Sequence, residues 1–176
     1  CPKRFRMALL PILEVPDPRL RQKAAPVRNI DPEVTALLED MLETMYAAPG
    51  IGLAAPQIGI SRRIVVLDVS PKEERRPLRL INPEVVETGG EAVEAEEGCL
   101  SLPNQYAPVK RPERVRVRYL DEQGEEREID ADGLLARCLQ HEIDHLDGVL
   151  FTDHLSRLKR EMLLKKLDKQ RRQRAG

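Results

Sequence analysis

Apolar residues recur at helical spacing in three parts of the chain. Residues 31–48 follow a 3.6-residue period, and Asp31 and Pro32 suit the cap and the first position of a helix. A second helix is predicted from Asp132 to about Asp147, followed by Gly148. A third begins near residue 155, with an apolar stripe formed by Leu155, Leu158, Met162 and Leu167.

Short β-branched runs separate the first two helices and predict strands. The predicted strands cover residues 63–69, 78–81, 85–93, 115–120 and 128–130. Gly89 and Gly90 lie within the third of these and predict a hairpin there. Because the strands are bracketed by helices rather than alternating with them, the pattern favours an α+β fold. We expect one compact domain, with antiparallel strands around the second helix.

Composition narrows the class of protein. Of 176 residues, 41% are hydrophobic and 34% are charged, and the net charge is −1, which excludes a disordered chain and one that coats DNA by bulk charge. No apolar run approaches the ~18–20 residues of a membrane span. Three widely spaced cysteines indicate a reducing compartment, the cytoplasm or alternatively an organelle. Residues 1–6 are expected to be an extension before a start at Met7, and 7–176 one catalytic domain.

The strongest chemical signal is the segment His141-Glu142-Ile143-Asp144-His145, which holds two of the three histidines. Residues four apart on a helix share a face, so both imidazoles can reach one metal ion. Glu142 is rotated by about 100° from His141 and can act as a base beside that ion. This spacing predicts a divalent metal site with a water-activating glutamate.

The third metal ligand has two candidates. A metzincin would need histidine at position 151, where this chain has Phe151. A thermolysin-like peptidase would use a later glutamate, for which Glu161 is available, whereas a thiolate ligand would be Cys99. A structural metal domain with a nucleic-acid-binding helix is a further alternative. Three strong ligands rather than four favour an open, catalytic position over that alternative.

A glycine-rich segment, Gly50-Ile51-Gly52-Leu53-Ala54-Ala55-Pro56-Gln57, precedes the strands. A dinucleotide-binding turn needs a strand before it and a helix after it, whereas here a helix comes first and Pro56 interrupts the second element, which excludes such a turn. The backbone of this segment instead suits close approach by an extended peptide or an oxyanion, next to the Gln57 amide. A structural turn with an incidental glutamine is the alternative, and this segment taken alone favours it.

Taken together, GIGLAAPQ at 50–57, EGCLS at 97–101 and QHEIDH at 140–145 resemble the three motifs of the peptide deformylase family, in the family's order. The resemblance implies removal of formyl groups from formyl-methionyl nascent chains, with release of formate. It implies metal binding by Cys99, His141 and His145, with Fe(II) as the metal and Zn(II) or Ni(II) as substitutes. Glu142 would be the general base and acid, and Gln57 with the Leu100 N–H would form the oxyanion hole.

The resemblance also implies an apolar pocket for the methionine side chain. Its substrate-binding residues would be Gly50, Ile51, Gly52, Glu97, Gly98, Leu134, Arg137 and Cys138. Ala95 and Arg137 replace larger aliphatic residues of other members, and we expect Arg137 to lay its methylenes along the pocket rim with its guanidinium in water. Either Glu97 or a backbone carbonyl is expected to accept a hydrogen bond from a ligand histidine. Arg111 is expected to pair with Glu97 or Asp144, with ordinary surface ion pairs as the alternative.

The C-terminal segment, residues 155–176, carries nine basic and two acidic side chains. Such a run is typical of a solvated helix face. The alternative is a cationic element that docks on ribosomal RNA with salt-sensitive affinity. No DNA partner and no membrane partner are expected.

Overall fold

The computed structural model describes residues 9–175, which form one α+β domain; the expected extension at 1–6 and the start at Met7 lie outside that range. A five-stranded sheet runs in chain order with every neighbouring pair antiparallel. Its strands are β1 (Gly52–Ala54), β2 (Ile64–Leu67), β3 (Leu78–Cys99), β4 (Leu102–Leu120) and β5 (Glu126–Asp132). The helices are α1 (Pro32–Ala47), α2 (Gly133–Leu146) and α3 (Arg157–Ala175).

Helix α1 forms as its sequence predicts. The Asp31 carboxylate accepts a hydrogen bond from the Val34 N–H at 3.0 Å, so it caps the first turn. The apolar face of the helix packs on β1 and β2 in a core that includes Val34, Leu38, Met41, Leu42, Met45, Leu53, Ile64 and Val66. This packing fixes the loop that leads from α1 into β1.

The prediction of a hairpin turn at Gly89 and Gly90 is wrong. β3 continues through both glycines to Cys99, and its pairing with β4 shifts register between Gly89 and Ala92. Gly90 has a φ of +73°, the left-handed conformation that favours glycine at a bulge. The true turn of the hairpin lies between Cys99 and Leu102, about ten residues further on.

The first half of β4, before residue 115, and the short strand β1 were not predicted. Pro108 and Pro112 lie in β4 and argue against a strand from sequence alone. In the described part of the chain, β5 pairs with β4 only from Arg114 to Leu120, so both prolines lie where one edge of β4 has no partner strand. A missing N–H is tolerated at such an edge.

Helix α2 packs its apolar face on the sheet, in a core with Leu67, Leu80, Val115, Val117, Leu139, Ile143 and Leu146. Asp132 occupies the predicted N-cap position, but its side chain makes no capping hydrogen bond. After the helix, Gly148 has a φ of +73° and lies against the Arg21 backbone, where a side chain would clash. The chain can therefore turn sharply away from α2 at this residue.

The apolar stripe predicted for helix α3 is confirmed at Leu167, which is buried, and at Leu155, which packs against the same cluster just before the helix, but not at its other two residues. Leu163 and Leu167 are buried against Leu102, Val109 and Phe151, whereas Leu158 and Met162 are exposed. The face that packs on the hairpin therefore runs through Leu163 and Leu167 and leaves Leu158 and Met162 in solvent. Within residues 9–175, the helices are all too short or too polar to cross a membrane.

Candidate metal centre

Three ligand atoms from distant parts of the chain converge beside α2. Cys99 ends β3 at the hairpin turn, and His141 and His145 lie one turn apart on α2. The thiol and imidazole donor atoms of these three residues all lie within 4.8 Å of one another, and Cys99 Sγ is 3.3 Å from His145 Nε2. Glu161, the alternative third ligand, is 55% exposed and pairs with Arg157. The thermolysin-like alternative is therefore wrong.

The donor set fits a divalent transition metal. One thiolate and two imidazoles form a typical three-ligand site that leaves a position for a substrate or water. Glu142 lies next to the group, and its Oε1 is buried with no hydrogen-bond partner in the described residues. A buried carboxylate oxygen without a partner is costly, so the site fits an ion and its water close to Glu142.

Behind His141, a buried network of charged side chains holds its ring. His141 Nδ1 lies 2.9 Å from Glu97 Oε1, which orients Nε2 toward the donor group. Arg111 donates to both oxygens of Glu97, at 2.5 and 2.9 Å, and to Asp144 at 2.9 Å. Arg111 therefore forms ion pairs with both of its predicted partners. His154, the third histidine, contacts Asp144 at the protein surface.

The two glutamates beside His141 have opposite pKa shifts. Burial alone would raise the pKa of Glu97, but hydrogen bonds from His141 and Arg111 lower it to about 2. Burial raises the pKa of Glu142 to about 7, and the charge of Glu97 adds to this rise. Burial also lowers the pKa of His145 well below its ordinary value, which keeps that imidazole neutral, the form that binds metals.

Gln57 is fixed in orientation just after β1. Its Oε1 accepts from the Ala54 N–H at 2.9 Å, and its Nε2 donates to Ser101 Oγ at 3.1 Å and points toward Cys99 Sγ. The segment before residue 16 holds both loops, because the Leu13 N–H donates to the Gln57 carbonyl and the Val15 N–H to the Ser101 carbonyl. The contact of Ser101 with Gln57 was not predicted, and the signal for it was its place at the end of the EGCLS motif, two residues after Cys99.

An open cavity of about 900 Å³ reaches this centre. Its lining includes most of the predicted site: Gly50, Ile51, Gly52, Gln57, Gly98, Cys99, Leu100, His141 and Glu142. A Cβ at Gly52 would lie 2.5 Å from Glu142 Oε2 and 2.9 Å from its Cγ, so β1 can approach Glu142 only with glycine here. The glycine-rich loop and the helix therefore form opposite walls of one site.

Other predicted substrate residues are not in the described lining of this cavity. Leu134 and Arg137 border a separate depression of about 600 Å³, together with Val93 and Ala95. Cys138 is buried in the core, with its Sγ 3.8 Å from the Ile51 carbonyl. The expectation that the Arg137 guanidinium lies in water is wrong: its side chain is only 12% exposed and pairs with Glu97.

Comparison with known proteins agrees with this geometry. The family model for polypeptide deformylase matches residues 9–161. A peptide deformylase of Methylocella silvestris is 58% identical over 167 residues, covering 93% of this chain and 85% of that protein. One of Phenylobacterium zucineum is 56% identical, covering 93% of this chain and 97% of that protein.

Solved structures show the same similarity. A crystal structure of a peptide deformylase from Legionella pneumophila matches with a TM-score of 0.90 and 49% identity, covering 96% of this chain and 98% of that one. A peptide deformylase from Ehrlichia chaffeensis, in complex with actinonin, matches with a TM-score of 0.88 and 44% identity, covering 93% of this chain and 98% of that one.

Proposed function

Because this chain belongs to the peptide deformylase family and is an enzyme that removes N-terminal formyl groups, we propose that its reaction takes place at the Cys99–His141–His145 centre. The observation that carries the proposal is the convergence of those three donors within 4.8 Å, beside a buried glutamate and at an open cavity. The substrate is the formyl-methionyl end of a nascent polypeptide, and formate is the product.

A divalent metal in this site would lower the pKa of a water molecule and polarise the formyl carbonyl. Glu142 takes a proton from the attacking water and returns it to the departing amine. Its pKa of about 7 suits both steps near neutral pH. The Gln57 Nε2 group and the Leu100 N–H donate to the carbonyl oxygen as negative charge develops there. Ala54 and Ser101 hold the Gln57 amide in place, so the N–H that would donate to the carbonyl oxygen is the second one on Nε2, which points toward Cys99 Sγ.

Fe(II) is the proposed resident metal, on the strength of the family resemblance. A thiolate with two imidazoles also accepts Zn(II) and Ni(II), so the ligands do not select among these ions. The free thiol of Cys99 suits a reducing compartment such as the cytoplasm. The substrate peptide would lie along residues 50–52 and Gly98 at the cavity wall, with Glu97 buried behind them. Leu134 and Arg137 border the separate depression and Cys138 lies in the core, so these three residues are not proposed to contact the methionine side chain.

The direct test is an anaerobic assay of formate release from a formyl-methionyl peptide, paired with metal analysis of the same protein. We expect about one metal ion per chain and rapid formate release. Cys99→Ala should lose both metal and turnover, whereas Glu161→Ala should retain both. Metal loss in Glu161→Ala but not in Cys99→Ala would contradict the assigned ligand set.

The basic face of α3 supports a ribosomal partner as a second part of this proposal. Lys165, Lys166 and Lys169 are exposed, while Leu163 and Leu167 anchor the helix to the hairpin. An enzyme that acts on nascent chains would bind ribosomal RNA through such a face in a salt-dependent manner. Replacing all three lysines by glutamate should abolish ribosome co-sedimentation at low salt and leave peptide turnover intact. Equal co-sedimentation of variant and parent would contradict this partner.

A further inference from the structure

Arg137 occupies an unusual position for an arginine, because its charged head group is largely buried behind the metal centre. It lies one helical turn before His141 on α2, and its guanidinium is turned away from solvent. One nitrogen, Nη1, donates to Glu97 Oε2 at 2.6 Å and to the Val109 carbonyl at 2.8 Å. The other, Nη2, donates to the Val93 carbonyl at 2.7 Å. The head group is thus held by one carboxylate and two strands.

We propose that Arg137 is a positioning residue for the reaction: it locks the Glu97 carboxylate against His141 and fixes the helix that carries both imidazoles to the hairpin that carries the thiolate. The inference rests on the proposed function in one respect, since it takes His141 as a metal ligand.

Hydrogen-bond geometry supports the locking of Glu97. Arg111 and His141 contact its Oε1, and Arg111 and Arg137 contact its Oε2. Because each carboxylate oxygen has two hydrogen-bond partners, the Glu97 carboxylate cannot rotate without losing charge-assisted hydrogen bonds. Because Glu97 sets the orientation of the His141 ring, a group that fixes Glu97 also fixes the direction of His141 Nε2.

Charge balance gives an independent argument. Two carboxylates, Glu97 and Asp144, share the single guanidinium of Arg111. Arg137 supplies a second guanidinium to Glu97, which therefore does not depend on Arg111 alone. Removing Arg137 would leave the buried Glu97 carboxylate with one cation fewer, which is costly in a low-dielectric interior.

The two carbonyl contacts connect the elements that supply the ligands. Val93 lies on β3, about six residues before Cys99, and Val109 lies on β4 opposite Ala95. Arg137 therefore bonds both strands of the hairpin from the first half of α2. A shift of α2 along the sheet would move the imidazoles relative to the Cys99 sulfur, and these contacts oppose that shift.

Arg63 offers a matched control. Its Nη1 also donates to two carbonyls, of Ala24 and Leu146, and to one carboxylate, of Asp147, and its side chain is 16% exposed. It differs from Arg137 in having no contact with Glu97. The carboxylate partner of Arg63, Asp147, is 45% exposed, whereas Glu97 is 4% exposed, so Arg63→Met should cost less stability than Arg137→Met. It controls for the loss of an arginine that binds backbone carbonyls, and only Arg137→Met should disturb the metal centre.

The experiment compares the parent, Arg137→Met, Arg137→Lys and Arg63→Met, each loaded with Co(II). Release of Co(II) to a chelator and its visible absorption spectrum are measured, followed by kcat and KM for a formyl-methionyl peptide. Removing a direct partner of a metal ligand typically costs about 10- to 100-fold, and for Arg137→Met, one contact further out, we expect about 3- to 10-fold faster release and a similar fall in kcat. KM should stay near that of the parent, because Arg137 is not in the described lining of the main cavity.

Arg137→Lys keeps the charge but has one nitrogen, so it should recover part of the loss in kcat and in Co(II) retention. The proposal is overturned if Arg137→Met releases Co(II) no faster than Arg63→Met, or if KM alone rises. The Co(II) release is read without turnover. Formate release by the parent tests the proposed function separately, and its absence would leave the release comparison intact.

Discussion

Glu97 and Glu142 are both buried glutamates beside His141, and their surroundings differ in kind. Glu97 faces two arginines and a ring nitrogen, and its pKa falls to about 2. Glu142 faces the cavity, its Oε1 has no partner among the described residues, and its pKa rises to about 7. The first is a permanent anion, and the second can exchange a proton.

The difference shows that burial alone does not set the role of a carboxylate. Desolvation acts on both residues in the same direction, and the number of cationic donors decides the outcome. Pairs of carboxylates separated in this way are typical of sites that need one fixed charge and one acid–base group. The fixed charge of Glu97 and the acid–base role of Glu142 can therefore be tested by separate substitutions.

Glu142→Gln should have the largest effect on turnover. General acid–base groups contribute about 10²- to 10⁴-fold, so we expect kcat to fall within that range while the metal content stays at the parental level. Formate release and metal analysis of the same preparation measure both quantities. Glu161→Gln, a change at an exposed glutamate of α3, is the control and should retain full kcat. Parental activity in Glu142→Gln would remove the acid–base role.

Glu97→Gln should affect stability and metal retention together. Breaking a buried ion pair by removing one partner costs about 3 kcal/mol or more, since Arg111 is left with less compensation. Loss of a direct partner of a ligand histidine should weaken metal binding by about 10- to 100-fold. Urea unfolding and metal competition check the two effects. Glu87→Gln breaks an exposed pair with Arg116 and should change stability by less than about 1 kcal/mol.

Gly52→Ala tests the close approach of β1 to Glu142. The added methyl would push the glutamate out of place, and misplacement by about 1 Å can cost up to about 100-fold in rate. We expect kcat to fall with metal content unchanged. At Gly89 the nearest atom to an added Cβ is 3.9 Å away, so Gly89→Ala should be close to neutral. An equal loss in both variants would show a general effect of the methyl group on the sheet.

Asp68 extends the comparison to a buried carboxylate whose partners include the neutral hydroxyls of Tyr46 and Ser70. Burial opposes ionisation, but hydrogen bonds from Ser70 and Tyr46 lower the pKa of Asp68 below 3.8. Burial and the Asp68 contact raise the pKa of Tyr46 to about 12. Tyr46→Phe removes a hydrogen bond to a charged group and should cost about 1.5 kcal/mol at neutral pH.

The pH dependence of that cost has a defined sign. A folded-state pKa below the unfolded value gives stability that is present above 3.8 and lost as pH falls through the lowered value. The difference between parent and Tyr46→Phe should therefore shrink in acid, as measured by urea unfolding from pH 7 downward. Tyr119→Phe, at a half-buried tyrosine on β4, is the control. A constant difference at all pH values would indicate packing rather than the hydrogen bond.

The sequence predicts the two histidine ligands on α2 well, because their placement depends only on the spacing of residues within one helix. The spacing of His141 and His145 fixes both rings on one face of α2, and the apolar period predicts that helix independently. The third ligand could not be chosen from spacing, since Cys99 reaches His145 only through the hairpin, 46 residues away in sequence. Resemblance to known motifs supplied the ligand that periodicity could not identify.

The strand region shows where sequence patterns are ambiguous. A glycine pair predicts a turn or a bulge equally well, and the long partner strand β4 decides for the bulge at Gly89 and Gly90. The prediction that the Arg137 guanidinium lies in water was wrong for a similar reason. Its long side chain could extend to water or fold back, and the choice depends on carbonyl groups of Val93 and Val109 that no local pattern reveals.

The position of the sulfur donor at the tip of the long β3–β4 hairpin has a mechanical consequence. An ion held by Cys99 and His145 would cross-link two points 46 residues apart and enclose β4 and β5 in a covalent-like ring. Such closure restricts the unfolded chain more than the folded one. The Tm of the protein and its affinity for the ion should therefore change in the same direction. Removal of the ion by a chelator should destabilise the tip of the hairpin first.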